Sequence, residues 1–160
     1  MKANLNMVID RTADDAKQAF ELRKKIQSKE TLTADETVIF ERGALTLSTL
    51  TRISLAYKAV ADILNGYGYY TGDTSHPSSW SKTEILYNNL YMGFLNDCKH
   101  LLNAFWGNES TPDPPNYLFG FNEVNAIEQI AVDVNDKIPD MEGSFKFCGE
   151  INCGEGVLFQ

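Results

Sequence analysis

The chain has 160 residues, of which 43% are hydrophobic and 22% charged, and a chain of this length and composition can bury a core without disulfides or metals. Its net charge of −8, with no basic run longer than Lys24-Lys25, argues against a protein that binds nucleic acid or an anionic membrane through a positive face. Its unbroken apolar runs are a few residues long, against the ~20 of a membrane span, and the N-terminus shows no secretion signal.

Cysteine usage and the chain end bear on the compartment and on the native length. Cys98, Cys148 and Cys153 are an odd number of cysteines. Without a secretion signal they favour reduced thiols in a cytosol over a Cys148–Cys153 disulfide.

Residues 157–160 (VLFQ) match what a picornaviral-type protease leaves after removing a tag, and the alternative is a genuine terminal strand. The tag interpretation implies a native chain that continues past Gly156.

The first third of the chain predicts an arm and two helices. Residues 1–10 have no clear period and predict a docking strand or an extended arm. Thr12 can cap a helix over 13–28, whose first turn is acidic and whose last turn is basic, as the helix dipole favours. Thr33 and Glu36 form a capping box that starts a short helix over 34–42.

The most apolar segment is 44–65, which predicts a central helix ending at Asn65-Gly66. Its apolar positions recur at steps of three and four residues, and small apolar residues widen this stripe. A helix apolar over so much of its circumference should have neighbours on more than one side. The stripe consists of Leu50, Ile53, Tyr57, Val60 and Leu64.

The second half predicts two further long helices and a β tail. Ser81 and Glu84 form a capping box, and Trp80 and Ile85 have the spacing of a hydrophobic staple, so a helix should start near 82 and end near 106–107. A proline-rich linker over 108–115 precedes a last helix over 121–138, which Pro139 should stop. The tail after 143 alternates aromatic and polar residues, which is typical of short strands. The sequence therefore predicts an all-α bundle of four to five helices over 1–143, with a short C-terminal β segment over 144–160.

The sequence contains no catalytic or metal signature. A zinc site would have to combine Cys98 and His100 with Cys148 and Cys153, but a C-x-H pair on a helix points its side chains apart, so a core Cys98 beside a surface His100 is favoured. No nucleophile elbow or phosphate-binding glycine loop occurs. The pairs of carboxylates are interpreted as solvated, because charged residues are mostly exposed. These pairs are Asp14 with Asp15, Glu123 with Glu128, and Asp133 with Asp136. We therefore predict no enzyme, no metal and no cofactor.

An aromatic loop after the central helix is the candidate binding surface. Aromatic faces stack on sugar rings, and tyrosines are enriched at protein interfaces. A structural role competes with this one, since Trp80 also serves as a staple and Tyr67 can pack past the helix end. The candidate binding residues are Tyr67, Tyr69, Tyr70 and Trp80.

Five segments carry a resemblance to a known module, namely 8–15 (VIDRTADD), 80–83 (WSKT), 111–115 (TPDPP), 121–128 (FNEVNAIE) and 144–151 (SFKFCGEI). In this order along the chain they resemble a module of phage and prophage proteins from Firmicutes-type bacteria. In that module a W-T helix start, a TP-rich linker, an E-A-N-x-I-E helix and a final aromatic S-G-E segment follow one another. The chain differs from it in its tail cysteines and its tyrosine-rich loop.

The resemblance covers most of the chain and implies a structural part of a tail or baseplate, with no catalytic residues to carry over. We therefore predict a non-enzymatic module of a phage tail, baseplate or tail-fibre protein, which acts in assembly or anchors a receptor-binding part. Its partners would be other virion proteins or a second copy of itself, and its location the virion, after assembly in the bacterial cytoplasm. The alternative is a carbohydrate or cell-wall binding module that uses the aromatic loop. A third hypothesis is a cell-wall hydrolase with acidic residues as acid and base.

Overall fold

The computed structural model describes residues 2–69, 71, 79–81, 88–105, 107–117 and 120–150. Within these ranges the chain is helical and contains no strand, so the prediction of a helical fold is confirmed. The five helices are α1 (Ala13–Gln27), α2 (Ala34–Gly43), α3 (Leu47–Gly66), α4 (Asn88–Ala104) and α5 (Phe121–Glu150).

The capping box predicted at Thr33 forms, and Thr12, which was predicted to cap the first helix, forms a capping box with Asp15. The Thr12 hydroxyl accepts the Asp15 N–H, and the Asp15 carboxylate accepts the Thr12 N–H in return. Thr33 and Glu36 make the same reciprocal pair at the start of α2. Hydrogen bonds from Thr12, assisted by Arg42, lower the pKa of Asp15, so its charged form stabilises the native state.

The central position of α3 is confirmed, although the helix begins at Leu47 rather than at 44. Ala44 and Thr46 are extended, and the Thr46 hydroxyl caps the helix by accepting the Thr49 N–H. All five residues of the predicted stripe are buried. Tyr57 meets the edge of Phe94 on α4 at 6.1 Å, and its hydroxyl donates to the Ile127 carbonyl of α5 at 2.7 Å. The core therefore lies between α3, α4 and α5.

The predicted start of the fourth helix lies outside the described residues, because 82–87 are not among them. The helix is described from Asn88 and ends at Ala104, slightly before the predicted end. The proline-rich linker is attached to α5 through Thr111, whose hydroxyl donates to Asp133 at 2.6 Å.

The predicted end of the last helix is wrong, because α5 continues through Pro139 to Glu150. Proline lacks the N–H that would bond the Asn135 carbonyl, a loss of ~3 kcal/mol in a helix interior. Burial continues on both sides of it, at Ile138 and Met141, so one packed face spans the proline. The predicted domain boundary at 143/144 falls inside this helix. The predicted β tail is helical over 144–150, and 151–160 lie outside the described residues.

Helices α1 and α2 form an antiparallel hairpin that packs mainly on itself. Ion pairs join its two ends, with Lys25 to Glu36 at 2.7 Å and Arg42 to Asp15 at 3.0 Å. Within the hairpin only Ala19 is buried in α1, and α2 has no buried residue. The hairpin is thus held by caps, ion pairs and close backbone approach more than by an apolar core.

The N-terminal segment 2–11, here called the strap, is the predicted extended arm and has no regular secondary structure. Ala3, Leu5 and Met7 pack against the core, while the residues between them are exposed. This two-residue period is that of an extended chain with one face buried. The strap therefore closes one side of the helical core.

Replacing Gly43 by alanine should destabilise the protein by about 1–3 kcal/mol, because a Cβ at this position overpacks the hairpin. The added Cβ would lie 2.0 Å from the Asp15 carbonyl oxygen and 2.8 Å from the Ala19 Cβ, so backbone would have to move. Urea unfolding followed by circular dichroism measures the effect. Gly66→Ala is the control, since nothing lies within 4 Å of its Cβ position. Equal stability of the two variants would contradict this packing.

Replacing Lys29 by glycine should stabilise the hairpin by roughly 0.5–1 kcal/mol, because a left-handed lysine is strained and a glycine is not. Lys29 has φ 63° in the turn that ends α1. There the Glu30 N–H bonds the Lys25 carbonyl and the Lys29 N–H bonds the Ile26 carbonyl, which is a Schellman motif. Lys29→Ala keeps the Cβ and removes the charge, so thermal unfolding should show no gain for it. A gain as large as that of glycine would instead assign the effect to charge.

Candidate functional site

The described aromatic residues of the predicted binding surface have different environments. Tyr67 is exposed, and its hydroxyl donates to the Glu142 carboxylate at 2.5 Å. Tyr69 is half-buried with its ring edge-on to Phe105 at 5.3 Å. Tyr70 lies outside the described residues.

Trp80 belongs to the core. Only 6% of it is exposed, its indole N–H donates to the Ser54 hydroxyl at 2.8 Å, and its ring meets Phe94 edge-on at 5.9 Å. A buried indole offers no open face on which a sugar ring could stack. The carbohydrate hypothesis therefore stays a prediction that depends on the three tyrosines.

Cys98 has the environment of a core residue, as the sequence favours. It is fully buried, its thiol donates to the Phe94 carbonyl at 3.3 Å, and burial raises its pKa to about 12. A thiol that stays protonated is a poor nucleophile and a poor metal ligand. His100 is exposed on the same helix. Within the described part of the chain, no group of three or more His, Cys, Asp or Glu side chains is arranged to hold a metal.

Glu128 is the centre of a buried ionic cluster, contrary to the prediction of solvated carboxylates. Its side chain is 0% exposed, and Arg11 contacts it at 2.7 Å with only 2% of its own side chain exposed. Arg52 of α3 binds both carboxylate oxygens at 2.8 Å, and the Val8 N–H donates to the carboxylate as well. Two guanidinium groups and one main-chain N–H thus surround a single carboxylate.

This arrangement is structural rather than catalytic. Both oxygens of Glu128 already accept two hydrogen bonds each, so neither is available to a substrate. Asp133 was also predicted to be solvated, and it is buried with bonds from Thr111 and Gln129, both at 2.6 Å. The prediction failed because Arg11 and Arg52, which pair with Glu128, and Thr111, which bonds Asp133, are distant in sequence.

Two of the segments that carry the resemblance meet at this cluster. Segment 8–15 supplies Arg11, and segment 121–128 supplies Glu128 together with Asn125, whose amide nitrogen donates to the Arg11 carbonyl at 2.9 Å. Segments 80–83 and 111–115 supply Trp80 and Thr111, which also make the buried contacts described above. These motifs therefore stabilise the fold.

The two most exposed large apolar side chains among the described residues, Val38 and Phe20, lie on the hairpin, which the sequence does not mark as a binding region. Four large apolar side chains are exposed on the hairpin, and six others among the described residues are exposed elsewhere, including Leu55 on α3 and Met92 on α4. A groove of about 480 Å³ runs between α1 and α2, lined by Leu22 and Ile39 with charged side chains beside them. The four exposed residues, here called the hairpin surface, are Phe20 (56%), Ile26 (42%), Val38 (68%) and Ile39 (37%).

A helical wheel could have indicated part of this surface. Asp15, Ala19, Leu22 and Ile26 form the single stripe of α1 that can face α2, and Phe20 lies about 100° away from Ala19. An aromatic residue off the buried stripe is a signal for a second contact. It is only a signal, because the same wheel does not show whether the rest of the chain covers that side.

Comparison of the chain with models of known families, with characterised proteins and with solved structures gave no match. None of the described helices combines the length and the apolar character needed to cross a membrane.

Replacing Glu128 by glutamine should destabilise the protein by about 3 kcal/mol or more, because two buried guanidinium groups would lose their counter-charge. Guanidinium chloride would screen this effect, so the measurement is urea unfolding. Glu21→Gln is the matched control. It removes an exposed pair with Lys24, where both side chains are more than half exposed, and should change stability by less than about 0.5 kcal/mol. Similar losses in the two variants would show that the buried cluster does not govern stability.

Proposed function

We propose that this protein is a non-enzymatic structural module of a phage tail or baseplate, which acts in assembly through the hairpin surface. The observation that carries the proposal is the exposure of four large apolar side chains on a hairpin that packs mainly on itself. Exposed apolar surface of this kind, bordered by charged residues, is typical of protein–protein contacts.

The physical state of the hairpin supports a docking role. Its two helices are positioned by two capping boxes and two ion pairs, which do not require burial of the apolar side chains. Phe20 lies under the Lys24 ammonium at 4.8 Å, so a cation covers part of its ring in the free protein. A partner that buries Phe20 and Val38 would gain apolar contact without rearranging the fold.

The phage context rests on the resemblance of the five segments described above. It makes other virion proteins the expected partners and the virion the expected location. The buried groups fit a structural role as well, since Glu128 is saturated with hydrogen bonds and burial raises the pKa of Cys98 to about 12. Neither group is in a state suited to attack a substrate.

Replacing Phe20 and Val38 together by glutamate should abolish incorporation into particles while leaving the fold intact, because both side chains are exposed in the free protein. Two new charges in an apolar contact would weaken it by at least about 3 kcal/mol, or more than a hundredfold in affinity. The measurement is complementation of the encoding phage or prophage lacking this gene, with electron microscopy of tails and immunoblotting of purified particles.

Met92→Glu is the control, since Met92 is also an exposed apolar residue, 40% exposed, but lies on α4. It should complement like the unmodified chain. Circular dichroism checks that all variants fold. Normal tails from the double variant would show that the hairpin surface is not the assembly contact. Absence of the unmodified protein from purified particles would show that the protein is not part of the virion.

A further inference from the structure

The groove between α1 and α2 offers apolar surface together with charges of both signs. Its apolar part consists of Leu22 and Ile39, of which Ile39 is 37% exposed. Asp14, Lys17 and Glu21 of α1 line the same groove. A partner that fits it must therefore supply apolar contact as well as positive and negative charges.

The charges along this side of α1 alternate in sign. Asp14, Lys17, Glu21 and Lys25 follow one another at steps of three and four residues, which places them on one face of the helix. The same series read from its other end has the opposite signs. When two copies of α1 lie antiparallel, Asp14 therefore faces Lys25 of the second copy, and Lys17 faces Glu21. In a parallel pair every charge would face its own kind.

These charges are available for pairing with a second copy. Among the described residues, the side chains of Asp14 and Lys17 have no hydrogen-bond or ion-pair partner. Glu21 pairs with Lys24, but both side chains are more than half exposed, so a second cation can approach this carboxylate. Lys25 can keep its ion pair to α2, because an ammonium has three donors and can bind two carboxylates.

The distribution of net charge favours contact through the hairpin over contact through the rest of the surface. Residues 12–46 contain seven acidic and six basic side chains, so they carry −1 of the chain's net charge of −8. Copies that met through other parts of the surface would bring the remaining negative charge together. Salt at physiological concentration screens this repulsion beyond about 8 Å, which leaves the close pairs to decide the orientation.

We infer that this groove binds α1 of a second copy of the chain, in an antiparallel two-fold dimer that joins Lys17 of each copy to Glu21 of the other. The inference rests on the proposed function, since it takes the hairpin as the contact region and names a partner for it. A two-fold dimer makes each ion pair twice and buries the apolar residues of both grooves. Phe20 and Val38 do not line the groove, so this dimer leaves them for a further partner.

The dimer should be weak and should depend on concentration. Exposed ion pairs contribute little individually, and the apolar part of each groove is small. The purified chain should therefore be monomeric at about 1 μM and form dimers between about 10 and 300 μM. An assembly that holds copies close together would raise their effective concentration and favour the dimer.

Charge exchange at two positions tests the inference. In the full-length chain, Lys17→Glu and Glu21→Lys should each weaken the dimer by about tenfold or more, because each turns attraction into repulsion at both symmetric contacts. The chain with both substitutions should dimerise like the unmodified protein, since both signs are reversed together. A mixture of the two single variants should form heterodimers where neither variant dimerises alone. Sedimentation velocity from about 1 to 300 μM measures all of these.

Lys58→Glu and Asp62→Lys are the matched controls. They alter the net charge by the same amounts as the two hairpin substitutions, and they disrupt an exposed pair four residues apart on α3. Because this pair lies outside the groove, neither control should change the dissociation constant by more than about twofold. Circular dichroism verifies that every variant folds.

Cross-linking tests the orientation of the two helices. In the antiparallel dimer the two copies of Gln18 lie about 4 Å apart along the helix axes, and the two copies of Asp14 about 16 Å apart. The chains carry Cys148→Ser and Cys153→Ser, and Cys98 stays because it is buried. A short bismaleimide should link copies with Gln18→Cys and not copies with Asp14→Cys. The reverse pattern would indicate a parallel pair and overturn the inference.

Two sedimentation results would also overturn it. One is a chain that stays monomeric at about 300 μM, and the other is a dimer that Lys17→Glu and Glu21→Lys leave unchanged. Neither result decides the proposed function, which is tested by incorporation of the Phe20→Glu, Val38→Glu variant into particles. If that variant is excluded from particles while the unmodified chain is monomeric in solution, the proposed function stands and the dimer does not.

Discussion

The fold depends on the buried carboxylate of Glu128. Its partners come from two other parts of the chain, with Arg11 at the end of the strap and Arg52 on α3. Arg11 also donates to the Arg42 carbonyl at 2.9 Å, which connects the end of α2 to the same cluster. A buried charge is tolerated only with its partners in place, so the strap, α3, α5 and the base of the hairpin must be positioned together. The apolar core supplies the driving force for folding, and the ionic cluster selects one arrangement of these parts.

The molecule uses two kinds of stabilisation in its two parts. Helices α3, α4 and α5 bury aliphatic and aromatic side chains around Tyr57 and Phe94, and even the polar groups there are bonded internally. The α1–α2 hairpin is instead held by capping boxes, two ion pairs and the close approach at Gly43. The two most exposed large apolar side chains among the described residues, Val38 and Phe20, lie on this hairpin.

The groove that holds the strap recognises the main chain of an extended segment. Most recognition of extended peptides uses the edge of a sheet, whose main-chain groups pair with those of the ligand. Here a helix does the same with side-chain amides at Asn125 and Asn135, ten residues apart on α5. Their spacing places both on one face of the helix, with Glu128 between them. Segments 8–15 and 121–128, which resemble parts of a phage module, thus supply part of the attachment of the strap.

The sequence by itself determined whatever depends on neighbours within about one helical turn. The cap at Thr12, the capping box at Thr33 and the apolar stripe of α3 are local patterns, and the structure confirms them. Only the tertiary structure decided that Glu128 is buried, since Arg52 and Arg11 lie 76 and 117 residues away in sequence. It likewise placed Trp80 in the core and continued α5 past Pro139, where packing on both sides outweighs the local penalty of proline. The exposure of Phe20 and Val38 is also decided by the tertiary structure, because it depends on how little of the chain covers the hairpin.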